Sequence, residues 1–74
     1  MLPMDWAKFC EWFEEKGFNK PTIIKGVEGR DRFSYYVAIT WGKGQDAGSK
    51  SYGINANTPT AEELQDIVDH PNLP

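Results

Sequence analysis

Cysteine and histidine are almost missing from this chain: Cys10 and His70 are the only examples of each. A lone cysteine excludes an internal disulfide framework and a multi-cysteine zinc site, and makes a reducing compartment the expectation. No apolar run approaches the roughly 18–20 residues of a membrane span, and the opening MLPMDWAKF lacks the apolar stretch of a secretory signal. Together these absences predict a cytoplasmic protein that makes no membrane contact. Positive charge is missing from residues 51–74, which hold four acids and no lysine or arginine. Length is scarce as well, at 74 residues beginning with Met1. The chain reads as one complete small domain, 1–74, burying only about 60% of the surface its unfolded form exposes.

A margin that thin calls for a dense core, and aromatic residues are what the chain has in quantity. Ten are present: Trp6, Phe9, Trp12, Phe13, Phe18, Phe33, Tyr35, Tyr36, Trp41 and Tyr52. Each can bury roughly 150–250 Å². Charge is segregated along the chain. Residues 1–15 carry four acids against Lys8, residues 16–50 carry seven bases against three acids, and the last stretch is wholly acidic. Both ends are therefore negative and the middle is positive.

Asp5 is suited to cap a helix, and Trp6, Phe9, Cys10 and Phe13 fall at i, i+3, i+4 and i+7, which predicts a helix over 5–16 ended by Gly17. Pro21 then favours extended chain. The β-branched run TIIKGVE predicts a strand over 22–28, followed by a turn at EGRD. In FSYYVAITW, residues 33–41, Phe33, Tyr35, Val37, Ile39 and Trp41 share one face and Ser34, Tyr36, Ala38 and Thr40 the other. KSYGIN, 50–55, supplies a third strand that offers Tyr52 and Ile54 to the same core. A last helix begins near residue 60, either from Thr58 with Pro59 or from a Thr60/Glu63 capping box; Leu64, Ile67 and Val68 form its stripe and Pro71 ends it. The fold expected is α+β, in the order αβββα, with two helices packed on one face of a three-stranded antiparallel sheet.

The glycine-rich stretch WGKGQDAGSKSYGI, 41–54, raises the question of a phosphate loop. Gly44 to Ser51 reads GQDAGSKS, so Ser49 stands where the second glycine of G-x-x-x-x-G-K-[ST] belongs. The residues after it, Tyr52 to Asn55, read as strand rather than helix, and no helix dipole is available to hold the anion. A hairpin connection is the expectation. Catalytic groupings are equally thin. His70 neighbours a proline near the C-terminus, and Asp66, Asp69 and His70, at helical spacing, read more simply as an exposed helix end than as metal ligands. Cys10 lies on an apolar stripe, where a free cysteine is a small core residue. The chain is expected to be no enzyme and to need no cofactor and no metal.

The layout resembles the double-stranded RNA-binding domain, a family of similar length and αβββα order. In its first helix that family carries a pattern like L-x-E-x-x-Q-x-x-G, where this chain has Phe9, Glu11, Glu14 and Gly17. The alternation of Phe33, Tyr35 and Val37 is similar to the family's second strand. The resemblance implies the fold and an RNA-binding role. The family's lysine cluster at the start of the last helix is replaced here by Thr58, Pro59, Thr60, Ala61, Glu62 and Glu63, which bring two negative charges and no positive one. Phosphate contacts dominate nucleic-acid affinity, so this departure weighs against the RNA role.

The leading functional expectation is a small binding module acting through protein–protein contact, in the manner of an accessory or inhibitor protein of a phage or mobile element. Trp12 and Tyr36 lie off the core-facing stripes, and Glu11 and Glu15 beside Trp12 would steer a partner with a basic surface. The alternative is nucleic-acid binding through the basic loops, by Arg30, Arg32, Lys43 and Lys50 with Lys25, and Tyr36 or Trp41 as a stacking platform. Self-association through a sheet edge or the Tyr36 face is a third expectation.

Overall fold

A computed structural model describes residues 3–73. The first helix, α1, runs Trp6–Glu15. It begins where Asp5, in extended conformation, accepts the Lys8 amide on its side chain at 2.9 Å. It ends because Gly17 takes a φ of 94°, which lets Phe18 N–H reach the Phe13 carbonyl and Gly17 N–H the Glu14 carbonyl, both at 3.0 Å. The Phe18 ring then meets Phe13 edge to face at 5.8 Å, locking the helix end to the core.

Three strands come next: β1 Thr22–Lys25, β2 Tyr35–Trp41 and β3 Gly48–Ile54. They form one antiparallel sheet in the order β1-β2-β3. The closing helix, α2, spans Ala61–Asp69 and is started by the capping box: Thr60 accepts the Glu63 amide at 3.1 Å while Glu63 accepts the Thr60 amide at 2.9 Å. The architecture is α+β, αβββα, as the pattern of residues predicts.

Strand pleating decides which side is covered. Val37 and Ile39 of β2 and Ile54 of β3 are buried with Phe9 and Phe13 of α1 and Leu64 and Ile67 of α2. Ile23, Tyr35, Trp41 and Tyr52 pack around that cluster from the same face of the sheet. Both helices therefore sit on one face, and the other face, carrying Tyr36, Ala38, Thr40, Ser49 and Ser51, has no layer over it. The molecule is 18 Å along its shortest axis, the thickness of two layers.

Four strand boundaries differ from the sequence expectation, the smallest difference being the end of β3 at Ile54 rather than residue 55. β1 stops at Lys25 rather than residue 28, because the Asp31 carboxylate takes the Val27 amide at 2.6 Å and the Asp31 amide returns to the Val27 carbonyl at 2.8 Å. This local ring outcompetes the ladder. β2 starts at Tyr35, leaving Phe33 outside it, and Phe33 is not on the core face. Its ring covers Gly53 on the open face, in the space a Cβ at that position would need. β3 starts at Gly48 rather than Lys50, since a single 3₁₀ turn, Gly44–Asp46, closes the hairpin with Gly42 and Gly44 at positive φ. The glycine-rich stretch that raised the phosphate-loop question is thus half strand: Ser49, Lys50 and Ser51 are paired residues opposite Thr40, Ile39 and Ala38.

Candidate protein-binding surface

On α1, residues three and four apart share a face, so the stripe that buries Phe9 and Phe13 leaves Trp12 at its margin and Glu11 and Glu15 outside. Trp12 is half-buried. Its ring meets Phe13 edge to face at 4.9 Å, and the Lys16 ammonium stands 4.9 Å from its centroid. A shallow hollow of about 390 Å³ opens around it, lined also by Met4, Lys8, Glu11 and Glu15. A second hollow of about 560 Å³ lies on the far side of Glu11 and Glu15, over Trp6, Cys10 and Glu14, with Lys20 at its rim. The two glutamates, one turn apart, form the ridge between the hollows.

Cys10 lines the second hollow but is only 4% exposed. Burial pushes its thiol above the usual value; Lys20 opposes this and Glu14 adds to it. It is held as a protonated, weakly nucleophilic thiol.

The electrostatics of the helix layer are one-sided. Asp5 to Lys16 and Thr60 to His70 together carry eight carboxylates against Lys8 and Lys16. Among the described residues the only ion pair is Arg30 with Asp31, at 3.4 Å and away from both helices. The helix carboxylates are therefore uncompensated at short range. Asp69 accepts a bond from Gln65 at 2.9 Å, and Glu63 serves the cap. His70 is the C-cap of α2, its amide bonded to the Asp66 carbonyl at 3.0 Å. Among the described residues no group of three or more His, Cys, Asp or Glu side chains is placed to hold a metal ion.

Of the residues singled out from the sequence, Glu11, Trp12 and Glu15 come together, and Tyr36 does not join them. It projects from the open side of the sheet, where its hydroxyl accepts the Phe33 amide at 3.1 Å and its ring meets Phe33 edge to face at 5.9 Å. The basic residues are also divided. Arg30 and Arg32 belong to the β1–β2 turn and Lys43 to the β2–β3 loop, at opposite ends of β2, whose seven residues span about 20 Å. Lys50 points to the helix side, where its ammonium donates to the Asn72 carbonyl at 3.2 Å and lies 5.4 Å from the Tyr52 ring. Arg30, Arg32, Lys43 and Lys50 do not form one stripe.

Sequence reasoning missed a small apolar corner beside Tyr36: Phe33, with Ile24 and Val27, which are 43% and 46% exposed. Arg32 lies 5.7 Å from the Phe33 ring. The signal was Gly53, a glycine directly opposite Tyr36 in mid-strand, which marks a place where another group must approach the backbone.

No helix among the described residues is long and apolar enough to cross a membrane. Set beside known proteins, the chain matches no family model, no curated protein and no solved structure.

Proposed function

We propose that the protein is a non-catalytic binding module that docks a partner with a basic surface on the outer side of α1. Trp12 is the anchor and the Glu11/Glu15 ridge supplies the charge. The observation that carries this reading is the placement of a half-buried tryptophan in a hollow edged by the Glu11/Glu15 ridge, in a helix layer with eight carboxylates and two lysines. Tryptophan at the centre of a contact dominates binding energy, and uncompensated carboxylates around it speed encounter with a positive partner. An accessory or inhibitor role, in which a small acidic protein occupies the basic surface of a larger one, rests on the same chemistry.

The test is capture from the native host followed by mass spectrometry, run in parallel with wild type and with Glu11→Lys/Glu15→Lys. Both positions are exposed, so the charge reversal leaves the fold intact. A basic partner retained by wild type and lost by the double variant supports the reading. Equal retention by both discards it.

A second reading is favoured by the open face, where Phe33 and Tyr36 meet edge to face and Arg32 stands 5.7 Å from the Phe33 ring: a base-stacking corner for a single strand. Titration with single- and double-stranded DNA and RNA at low salt tests it, since absence of binding under those conditions removes it.

A further inference from the structure

The two sheet edges are built differently. β1 is four residues long, comes after Pro21 and carries Lys25, the usual devices that blunt an edge. β3 lacks the first two: it is seven residues long, pairs with β2 in unbroken register without a bulge, and contains no proline. Its one charged side chain, Lys50, is bonded to the C-terminal segment on the helix side.

The backbone direction along this edge can be read from the ladder. The Thr40 and Ser34 carbonyls accept from Asn19 and Gly26, at 3.0 and 2.7 Å, so the even-numbered residues of β2 turn their polar groups toward β1. The odd-numbered residues Tyr35, Val37, Ile39 and Trp41 turn theirs toward β3, where they face Ile54, Tyr52, Lys50 and Gly48. The amides and carbonyls of Ser49, Ser51 and Gly53 consequently point away from the sheet. Among the described residues none of them has a hydrogen-bond partner. All three residues are exposed.

We propose that the β3 edge is a self-association surface, on which a second copy of this chain adds antiparallel through its own β3 to make one continuous six-stranded sheet. Three outward residues spaced two apart are symmetric about Ser51, and that symmetry selects the occupant. With Ser51 opposite Ser51 of the other copy, Ser49 falls opposite Gly53 and Gly53 opposite Ser49. Each pair exchanges two bonds, about six in all, and no outward group is left over. The side chains allow it. Lys50 of one copy meets Tyr52 of the other rather than a second lysine, and Gly48 meets Ile54, so no like charges or bulky pairs oppose each other. This edge lies on the sheet and not on the outer side of α1, so the inference stands apart from the docking surface above.

Sedimentation of the whole chain over a range of concentrations should show a monomer–dimer equilibrium. Ser51→Pro removes an outward N–H that no native ladder bond uses, a substitution an edge strand accepts. It should leave the circular dichroism spectrum unchanged and weaken the dimer by more than tenfold. If the proline variant is unfolded, Ser51→Lys, which sets two ammonium groups opposite each other on the exposed face, gives the same reading. Register is tested by cysteine: at a hydrogen-bonded antiparallel pair the Cα atoms are about 5.5 Å apart, within disulfide reach, so Ser51→Cys should cross-link under mild oxidation. Ser49→Cys should not, because its two copies would be about 13 Å apart. A wild-type monomer at every concentration up to about 1 mM overturns the proposal. So does a dimer that Ser51→Pro or Ser51→Lys leaves untouched, or cross-linking of Ser49→Cys as readily as of Ser51→Cys.

Discussion

Asp31 shows how one side chain can end a strand. Its carboxylate holds the Val27 amide at 2.6 Å and stands beside the Arg30 guanidinium, and these contacts hold its pKa below the ordinary value near 3.8, the backbone bond being the larger cause. A depressed carboxylate contributes stability that is present above the ordinary value and lost as pH falls through the folded one. Asp31→Asn should therefore speed amide exchange at Val27 at neutral pH, and the difference from wild type should shrink in strong acid. Tyr52 works in the other direction. Its hydroxyl donates to the Pro71 carbonyl at 2.6 Å, and burial raises its pKa above the usual 10. That contribution is complete at neutral pH and fades only above the ordinary tyrosine range. Tyr52→Phe should release the segment after α2 and lower stability by about 1 kcal/mol in denaturant titration.

At the scale of elements, local signals are the legible ones. Both helices announce themselves through cap, period and stop, because each signal acts within a few residues of the bond it makes. The Thr60/Glu63 box is the actual start of α2, and Thr60→Ala should cost about 1 kcal/mol, read as a fall in the thermal midpoint. Strand ends are less legible because they depend on distant partners. Phe33 continues the alternation of β2 perfectly, yet its ring lies on the open face of the sheet, over Gly53. The position it takes instead exists only because Gly53 comes opposite Tyr36 across the hairpin. Gly53→Ala should displace the Phe33 ring and destabilise the fold by about 1–3 kcal/mol, whereas alanine at Gly29, where nothing crowds a Cβ, pays only for its positive φ.

For the whole molecule, the governing fact is a thin core beneath a strongly polarised surface. The acidic character of the two helices is visible in the sequence, as is the neighbourhood of Glu11, Trp12 and Glu15, because helical spacing alone places them. That Tyr36 faces the opposite way also comes from pleating, but the separation of Arg30 and Arg32 from Lys43 depends on which ends of β2 their loops join. This geometry separates stability from binding. Trp12 packs at the rim of the buried cluster and touches Phe13, while Tyr36 lies on the uncovered face outside that cluster. Trp12→Ala should lower the thermal midpoint more than Tyr36→Ala does, since it strips a ring from the core's edge, and Phe13→Ala, at about 3–5 kcal/mol, should remove a large share of a stability of only about 4–11 kcal/mol. Glu11→Lys/Glu15→Lys should leave the midpoint within about 0.5 kcal/mol of wild type, as exposed substitutions do. Thermal melts of these variants beside their capture of a basic partner then divide the possibilities. If the charge reversal abolishes capture at unchanged stability, the helix surface binds; if capture falls only in step with the melting midpoint, Trp12 serves the core and the ridge beside it is ordinary solvated surface.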